Sequence, residues 1–371
     1  MKFYDENKNL VSVSNSILKH FGAKTFNNSL KELDELLAKK NYDNVTIILF
    51  DGLGSYIQKK HLSEKDIIRR NHFMEITSVF PPTTVAATTA LLSGKYPKET
   101  GWLGWSQYFN QIDRTIDMFS GRDSFKATIK LEPNPSYTYN SYESIIQILN
   151  NTEGVTATQI MPSSIIPGNI NSLNQFMSAI SKEMSKKGRH FTYAYWTDPD
   201  STIHEYGVDH VYTHNIIREI NKEVAKLIKE NKNGLVILLA DHGLIDTEPL
   251  YLDEHEDLYE LLIDDCYLDA RANFYRIKDF EKNGTKFKTL FEKYYGEHFK
   301  LYTREEVIAN NIFGLGNEHP TFKNFVGDFL SIGITNKSVI CPKKDNDFIL
   351  IGHHSGGTEE ERMVSISIFN K

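Results

Sequence analysis

The sequence predicts an α/β protein with a mainly parallel central sheet that is flanked by helices. Three short and nearly unbroken apolar runs, at residues 45–50 (VTIILF), 191–196 (FTYAYW) and 235–240 (LVILLA), are typical of strands buried on both faces of a parallel sheet. Between the second and third runs, apolar residues recur at helical spacing over residues 212–230. This order predicts a strand, a crossover helix and a neighbouring strand.

We expect one domain over residues 1–371, with later strands at residues 328–332 and 348–351. Residues 101–140 and 247–323 lack a clear alternation of strand and helix and are rich in Tyr, Asn, Asp and Lys. These two stretches are interpreted as insertions that cap a site. The 371 residues, of which 40% are hydrophobic and 25% charged, match the average for globular proteins.

Composition and charge exclude several classes of protein. The net charge of −7 disfavours a general surface for nucleic-acid polymers. No stretch approaches the roughly 18 apolar residues of a membrane span, and residues 1–21 lack the apolar core of a signal peptide. Cys266 and Cys341 lie far apart, without paired spacing, which is typical of reduced thiols. We therefore predict a cytoplasmic protein, and the sequence does not predict an oligomeric state.

Acidic residues and histidines follow the predicted strands. In open α/β sheets, ligands bind at the carboxyl ends of the strands, so side chains at these positions converge on one edge. Any one acid at such a position is more often a helix cap, but four clusters on one edge favour bound divalent cations that offset the carboxylates. The predicted metal ligands are Asp51, Asp200, His204, Asp241, His242 and His354.

Residues 80–94 (FPPTTVAATTALLSG) form a second candidate motif, in which two prolines precede a predicted helix of small residues. A helix N-terminus presents unpaired N–H groups that favour a phosphate, and Thr83 or Thr84 lies there. Ordinary capping by threonine is equally consistent with this position. The residues alone leave the capping role and a nucleophilic role open.

Aromatic residues follow in a glycine-broken stretch at residues 101–109 (GWLGWSQYF). Trp102 and Trp105 could stack on a flat leaving group next to a phosphate site. A local core beneath the cap is the alternative, and it is the more common use of such a cluster.

The order of these motifs resembles the alkaline phosphatase superfamily, in particular its type I phosphodiesterase and nucleotide pyrophosphatase branch. That branch carries an Asp-Gly after the first strand, a nucleophilic Thr before a Ser-Gly or Thr-Gly pair, an Asp-x-x-x-His, an Asp-His-Gly and a late His. In this sequence the corresponding motifs are Asp51-Gly52, Thr84 before Ser93-Gly94, Asp200 to His204, Asp241-His242-Gly243, and His354.

The resemblance implies two divalent metal ions, zinc or alternatively manganese. It places Asp200, His204 and His354 around one ion, and it places Asp51, Asp241 and His242 around the other, beside Thr84. It further implies hydrolysis of a phosphodiester or nucleotide pyrophosphate bond through a phosphothreonine intermediate, with a small phosphate ester such as a nucleotide as substrate. A phosphomonoesterase is the alternative within enzymes, and an inactive metal-stabilised binding protein is the alternative outside them.

The sequence departs from the family pattern at one position and is ambiguous at two. Ala87 stands where the family carries an Asn, so the contact of that Asn must come from another residue or be absent. His353 competes with His354 as the last ligand, and Asp198 competes with Asp200. Spacing within the motifs favours His354 and Asp200.

Overall fold

The protein is described by a computed structural model that covers residues 3–40, 42–230, 234–341 and 349–370. The strands are β1 Asn44–Phe50, β2 His72–Thr77, β3 Ser106–Phe109, β4 Arg114–Asp117, β5 Val155–Ile160, β6 Arg189–Trp196, β7 Leu235–Leu239, β8 Ile245–Asp246, β9 Glu248–Tyr251, β10 Tyr267–Asp269, β11 Ala272–Tyr275, β12 Phe299–Thr303, β13 Phe329–Gly333, β14 Lys337–Ile340, β15 Gly352–His353 and β16 Met363–Asn370.

The helices are α1 Leu10–Phe21, α2 Lys31–Lys40, α3 Ser55–His61, α4 Ile67–Arg70, α5 Thr84–Ser93, α6 Pro97–Thr100, α7 Pro135–Tyr139, α8 Ile145–Asn150, α9 Leu173–Met184, α10 Asp200–Tyr206, α11 Val211–Glu230, α12 Glu256–Tyr259, α13 Phe280–Tyr295, α14 Arg304–Ala309, α15 Phe322–Phe325 and α16 Glu359–Arg362. A single 3₁₀ turn covers Leu252–Glu254.

A six-stranded sheet in the order β2-β16-β7-β1-β6-β5 forms the centre of the molecule. Strands β5, β6, β1 and β7 run parallel, and β16 lies antiparallel between β7 and β2. Every residue of β1 and β7 is buried, because helices cover both faces of the sheet. The predicted fold class and all three predicted central strands are confirmed.

Helices pack in two groups against this sheet. Helices α1, α5 and α8 contact one another, while α11 contacts α3, α4 and α9. The predicted helix at residues 212–230 is α11, whose buried face carries Ile217, Ile220, Val224 and Leu227. It connects β6 to β7, and both strands flank β1, as expected for parallel strands joined by a crossover helix.

A second, antiparallel sheet has the order β10-β11-β13-β12. It packs against α13 and has its own hydrophobic cluster, in which Tyr275, Phe287, Phe291 and Phe329 are buried. The predicted strand at residues 328–332 is β13, so it belongs to this sheet and not to the central one. Three strands of the second sheet lie within residues 247–323. We refer to these four strands as the cap sheet.

The prediction of a strand at residues 348–351 is wrong for residues 349–351, which are the described part of that stretch. Residues 349–351 lie outside any strand, and residue 348 lies outside the described residues. The amide of Ile351 donates to the carbonyl oxygen of His204 at 2.8 Å, at the end of α10, so this backbone does not pair with a sheet strand there. The two-residue strand β15 follows directly and pairs with β8.

Of the helices in the described part of the chain, none is both long and apolar enough to cross a lipid bilayer.

Candidate active site

The carboxyl ends of β1, β6 and β7 bring the predicted ligands together. The amide of Asp51 donates to the carbonyl oxygen of Trp196 at 2.9 Å, and the amide of Asp200 donates to the carbonyl oxygen of Asp51 at 3.0 Å. The amide of Gly52 donates to Asp241 Oδ1 at 3.1 Å. Two of these bonds join strand ends through their backbones, and the third holds the carboxylate of Asp241, so the acidic side chains are held on rigid elements.

One group of possible metal ligands consists of Asp200, His204 and His354. His204 Nε2 lies 3.2 Å from Asp200 Oδ1, and His354 Nε2 lies 3.8 Å from the same oxygen. His204 Nδ1 is 2.7 Å from the carbonyl oxygen of Gly352, to which it donates, so Nε2 is left free for a metal. This bond fixes both the tautomer and the direction of the ring.

A second group consists of Asp51, Asp200 and His242. Asp200 therefore lies within reach of both groups, whereas the resemblance assigned Asp241 to the second ion. Asp241 Oδ1 accepts from the amides of Gly52 and His242, and its Oδ2 lies 3.5 Å from His242 Nε2. Asp241 borders the second group, and its Oδ2, which accepts no hydrogen bond, lies beside His242 Nε2.

The three carboxylates repel one another in a buried site. Burial, followed by the neighbouring charges of Asp241 and Asp200, raises the pKa of Asp51 well above its usual range. Burial also raises the pKa of Asp241. Burial acts in the same direction on Asp200, but the imidazoles of His204 and His242 outweigh it and lower the pKa of that carboxyl. Without a cation, therefore, the cluster holds protons on part of its acids.

The residues present fit a pair of divalent cations. Asp51 Oδ1, Asp200 Oδ1 and Asp241 Oδ2 are buried and accept no hydrogen bond, although their burial costs free energy unless each oxygen has a partner. Burial, followed by the neighbouring His242, lowers the pKa of His354 well below the usual range, so that ring is neutral and free to bind. Carboxylate and imidazole donors suit zinc and manganese alike.

Thr84 faces the second group from the first turn of α5. Its Oγ lies 3.4 Å from Asp51 Oδ2 and 3.3 Å from His242 Nε2. The N-cap residue of the helix is Thr83, which makes no capping bond through its side chain. Capping by threonine therefore does not explain this pair, and the hydroxyl of Thr84 points at the ligands.

The structure also distinguishes the two candidate metal ligands within each of the pairs Asp198/Asp200 and His353/His354. Asp198 Oδ1 accepts from the hydroxyl of Thr202 at 2.8 Å, and Asp198 belongs to neither ligand group, whereas Asp200 belongs to both. His353 lies in β15, where it pairs with Ile245 of β8, and it belongs to neither ligand group. His354 belongs to the first group.

A cavity of about 470 Å³ opens beside Thr84, Asp200, His204 and His354. Trp105 lines this cavity and is 50% exposed. Trp102 is not one of the described residues that line the cavity. Its side chain is buried, and its indole N–H donates to the carbonyl oxygen of Asn140 at 2.7 Å. The structure thus places Trp102 in the core beneath the cap and Trp105 at the site.

Two polar residues of the cavity wall, Asp269 and Asn273, were not predicted from the sequence. Burial raises the pKa of Asp269 to about 7, and its Oδ2 accepts from the amide of Trp105 at 3.2 Å. Asn273 is almost fully buried, and its Nδ2 has no hydrogen-bond partner. Both residues come from the cap sheet, and no local pattern in the sequence places that sheet over the strand ends. Ala87, in contrast, is buried inside α5 and does not line the cavity in the described structure.

The two cysteines lie next to each other on the same wall. The amide of Cys266 donates to Cys341 Sγ at 3.2 Å, although the residues are far apart in the sequence. Their separation in the sequence had suggested that they are isolated from each other, but the segment before Cys341 bonds to the turn after β10, where the amide of Val339 donates to the carbonyl oxygen of Ala270 at 2.8 Å. Burial, followed by the contact with Cys341, raises the pKa of the Cys266 thiol, which disfavours the thiolate.

Comparisons with known proteins agree with this geometry. A profile of the type I phosphodiesterase/nucleotide pyrophosphatase family matches residues 45–347. Murine ectonucleotide pyrophosphatase/phosphodiesterase 5 has a similar structure, with a TM-score of 0.64 and 17% identity over 88% of each chain. An inactive form of that murine protein in complex with AMP gives a TM-score of 0.63 and 16% identity over 87% of each chain. The human protein gives 0.62 and 16% identity over 88% of this chain and 87% of its own. No curated protein sequence matches the chain.

The family profile spans most of the chain and includes Thr84 and all predicted ligands except His354, which follows it in the sequence. The structural likenesses show that the fold of these ectonucleotide pyrophosphatases extends over most of this chain. The chain therefore belongs to the type I phosphodiesterase/nucleotide pyrophosphatase family of the alkaline phosphatase superfamily and is a phosphoric ester hydrolase.

Proposed function

We propose that the protein hydrolyses phosphodiester or nucleotide pyrophosphate bonds through a covalent phosphoryl intermediate on Thr84. The observation that carries this proposal is the position of Thr84 Oγ, 3.4 Å from Asp51 Oδ2 and 3.3 Å from His242 Nε2. A hydroxyl that only capped a helix would bond to a backbone amide of its own first turn instead.

Asp51, Asp200, His204, Asp241, His242 and His354 would hold two divalent cations, which are zinc in our proposal and manganese in the alternative. When bound, such cations neutralise charge on the phosphoryl group and lower the pKa of a hydroxyl beside them. The chain contributes the alignment. Asp51 and His242 fix the direction of Thr84 Oγ, backbone bonds to β6 and α10 hold Asp51, and the amides of Gly52 and His242 hold the carboxylate of Asp241.

The reaction then requires two displacements at phosphorus. Thr84 Oγ forms a bond to phosphorus as the bond to the first leaving oxygen breaks, and the hydroxyl proton passes to Asp51 Oδ2, which lies 3.4 Å from Thr84 Oγ. Water then attacks the same phosphorus, the bond to Thr84 breaks, and the hydroxyl recovers a proton. The product carries the ester substituent that did not leave.

The charge of the cavity wall favours substrates with one negative charge on the reacting phosphate. The described residues that line the cavity include no Lys or Arg, whereas a monoester dianion needs more positive charge around its free oxygens. The unpaired Asn273 amide faces this cavity and offers a neutral donor. We therefore rank diesters above monoesters.

The remaining observations best support a substrate that contains a nucleotide, either as the group that leaves or as the group that stays on the phosphate. The structure of the murine relative holds AMP. In this chain the exposed ring of Trp105 lies on the cavity wall, where a base could stack, and stacked rings contribute about 0.5–1.5 kcal/mol beyond the area they bury.

The proposal is tested with purified protein loaded with zinc and supplied with chromogenic monoesters and diesters. We expect diesters to turn over faster than monoesters, and we expect Thr84→Ala to lower kcat by at least about a thousandfold while it keeps its bound metal. Thr83→Ala is the matched control: the side chain of this neighbouring threonine interacts with Asp269 and not with Asp51 or His242, so its loss should leave most of the rate.

Three results would contradict the proposal. The first is full activity in Thr84→Ala, the second is full activity in wild-type protein stripped of transition metal, and the third is no turnover of any phosphate ester by the metal-loaded protein.

A further inference from the structure

A fully buried Arg–Glu pair joins the cap sheet to the loops of the predicted metal ligands. Arg271 and Glu361 both have side chains with no exposed surface. Arg271 Nε donates to Glu361 Oε1 at 2.7 Å, and Arg271 Nη2 donates to Glu361 Oε2 at 2.8 Å. Such a two-pronged contact fixes the relative position of its partners more strictly than a single bond does.

The two partners come from different parts of the fold. Arg271 lies in the turn between β10 and β11 of the cap sheet, and Glu361 lies in α16, which leads into β16 of the central sheet. Neither residue is among the described residues that line the cavity. The pair therefore lies behind the site and does not contact the substrate.

Glu361 also holds the loop that follows His354. Its Oε1 accepts from the amide of Gly356 at 2.7 Å, and its Oε2 accepts from the hydroxyl of Thr358 at 2.8 Å. Its backbone carbonyl accepts from the amide of Gly243 at 2.9 Å, one residue after His242. One residue thus fixes the chain next to a ligand of each metal group.

Arg271 ties the same loop to the cap sheet. Its backbone carbonyl accepts from the amide of Gly333, and the carbonyl of Gly333 accepts from the amide of Gly357, both at 2.8 Å. A Cβ atom at Gly356 would lie 2.6 Å from Arg271 Nη2 and 2.7 Å from Glu361 Oε2. The loop therefore packs directly on the ion pair, and only glycine permits this approach.

We propose that the Arg271–Glu361 pair is a positioning device that sets His354 and His242 for metal binding and couples the metal site to the cap sheet. The proposal rests on the metal-binding function proposed above. Burying a charge pair does not by itself make a fold more stable than apolar side chains would, so the fold alone gives no reason to retain this pair. Residues that hold metal ligands in place, in contrast, affect metal affinity directly.

The test measures zinc affinity by competition with a chromogenic chelator, on protein dialysed free of metal. Arg271→Lys keeps the positive charge but loses the two-pronged geometry, and we expect zinc affinity to fall by about 10- to 100-fold. The matched control is Arg276→Lys, one residue after β11, because Arg276 pairs with Asp264 and has no bond to either ligand loop. Its zinc affinity should equal that of the wild type.

A double variant separates positioning from stability. Arg271→Met with Glu361→Leu replaces both charges by apolar side chains, which should fold, since such replacements are often neutral for stability. We expect its affinity for zinc to fall as well, and we expect zinc to raise its melting temperature by less than it raises that of the wild type. A purely structural pair would shift the melting temperature equally with and without metal.

The outcomes distinguish failure of the proposed metal-dependent function from failure of the positioning role of Arg271 and Glu361. If wild-type protein does not bind zinc, the proposed function fails. If the wild type binds zinc and both folded variants bind it equally well, the positioning role is wrong. If neither variant folds, the pair is a requirement of folding, and its assignment to the ligands is also wrong.

Discussion

At the scale of single residues, Asp200 is the centre of the site. Its Oδ1 lies 3.2 Å from His204 Nε2 and 3.8 Å from His354 Nε2, and the residue also belongs to the second ligand group. Asp198, two residues earlier, accepts a hydrogen bond from Thr202 and belongs to neither group. The sequence could only rank these two acids by spacing, whereas the structure gives each a different environment.

This difference predicts opposite results for two equivalent substitutions. Asp200→Asn removes the carboxylate shared by both groups, so the protein should lose at least one zinc ion per chain and most of its activity. Asp198→Asn keeps an oxygen that accepts from Thr202, so it should retain both ions. Metal analysis after dialysis distinguishes them, and two tightly bound ions in Asp200→Asn would contradict the assignment.

His204 gives the site a pH dependence. Burial alone would lower its pKa, but the carboxylate of Asp200 outweighs burial and raises the pKa from 6.5 to about 9 in metal-free protein. A raised pKa stabilises the folded metal-free protein fully below pH 6.5, and this contribution is lost as the pH rises through 9.

Zinc competes with that proton, so its affinity should rise with pH up to about 9 and then level off. Calorimetry at pH 7.5 in two buffers of different ionisation enthalpy counts the protons released. We expect about one or more protons per protein when zinc binds. Zinc binding without proton release at this pH would show that His204 is not a ligand in the proposed form.

From the sequence, the predicted ligands and Trp105 could be placed near one another, but the part of the cavity wall that comes from the cap sheet could not. The ligands follow buried apolar strands, so the pattern of those strands places them on one edge. Asp269 and Asn273 lie in the cap sheet, whose contact with the site depends on tertiary packing between distant segments. Their neighbours along the chain give no sign of a nearby phosphate site.

At the scale of elements, the first turn of α3 packs against the loop that carries His242. Gly54 precedes this helix, and a Cβ atom there would lie 2.6 Å from Gly243 Cα and 2.8 Å from the amide nitrogen of the same residue. The φ angle of Gly54 is −61°, so the residue is needed for its lack of a side chain and not for its backbone conformation.

Gly54→Ala should therefore displace the His242 loop, destabilise the protein by about 1–3 kcal/mol and weaken zinc binding. Gly168→Ala is the matched control, because the nearest atom to a Cβ there is at 3.7 Å, an ordinary contact. Denaturant unfolding and the chelator competition measure both effects. Wild-type affinity and stability in Gly54→Ala would show that the loop moves freely.

The fold could be predicted where each element carries its own signal. Residues 45–50, 191–196 and 235–239 of β1, β6 and β7 form nearly unbroken apolar runs because both of their faces are covered, and α11 has a regular apolar stripe. The strand β13 was found, but its assignment to the cap sheet was not, because strand pairing is a non-local property. Residues 349–351 are apolar in part yet bond to the end of α10, so their composition misled the prediction.

At the scale of the whole molecule, two hydrophobic cores meet at one cavity. The larger core fills both faces of the central sheet, and the smaller one lies between the cap sheet and α13. Five of the six predicted ligands follow β1, β6 and β7 of the central sheet and His354 follows β15, whereas Cys266, Asp269 and Asn273 come from the cap sheet or its edge. We therefore propose that chemistry and substrate choice belong to different parts of the fold.

The central claim is that Thr84 forms a covalent bond to phosphorus, and the stereochemistry of hydrolysis tests it most directly. A diester made chiral at phosphorus with sulfur and oxygen isotopes is hydrolysed by the zinc-loaded enzyme, and the configuration of the product is determined. Two in-line displacements, the first by Thr84 and the second by water, predict overall retention of configuration. Inversion would mean that water attacks the substrate directly, and it would contradict the nucleophilic role of Thr84.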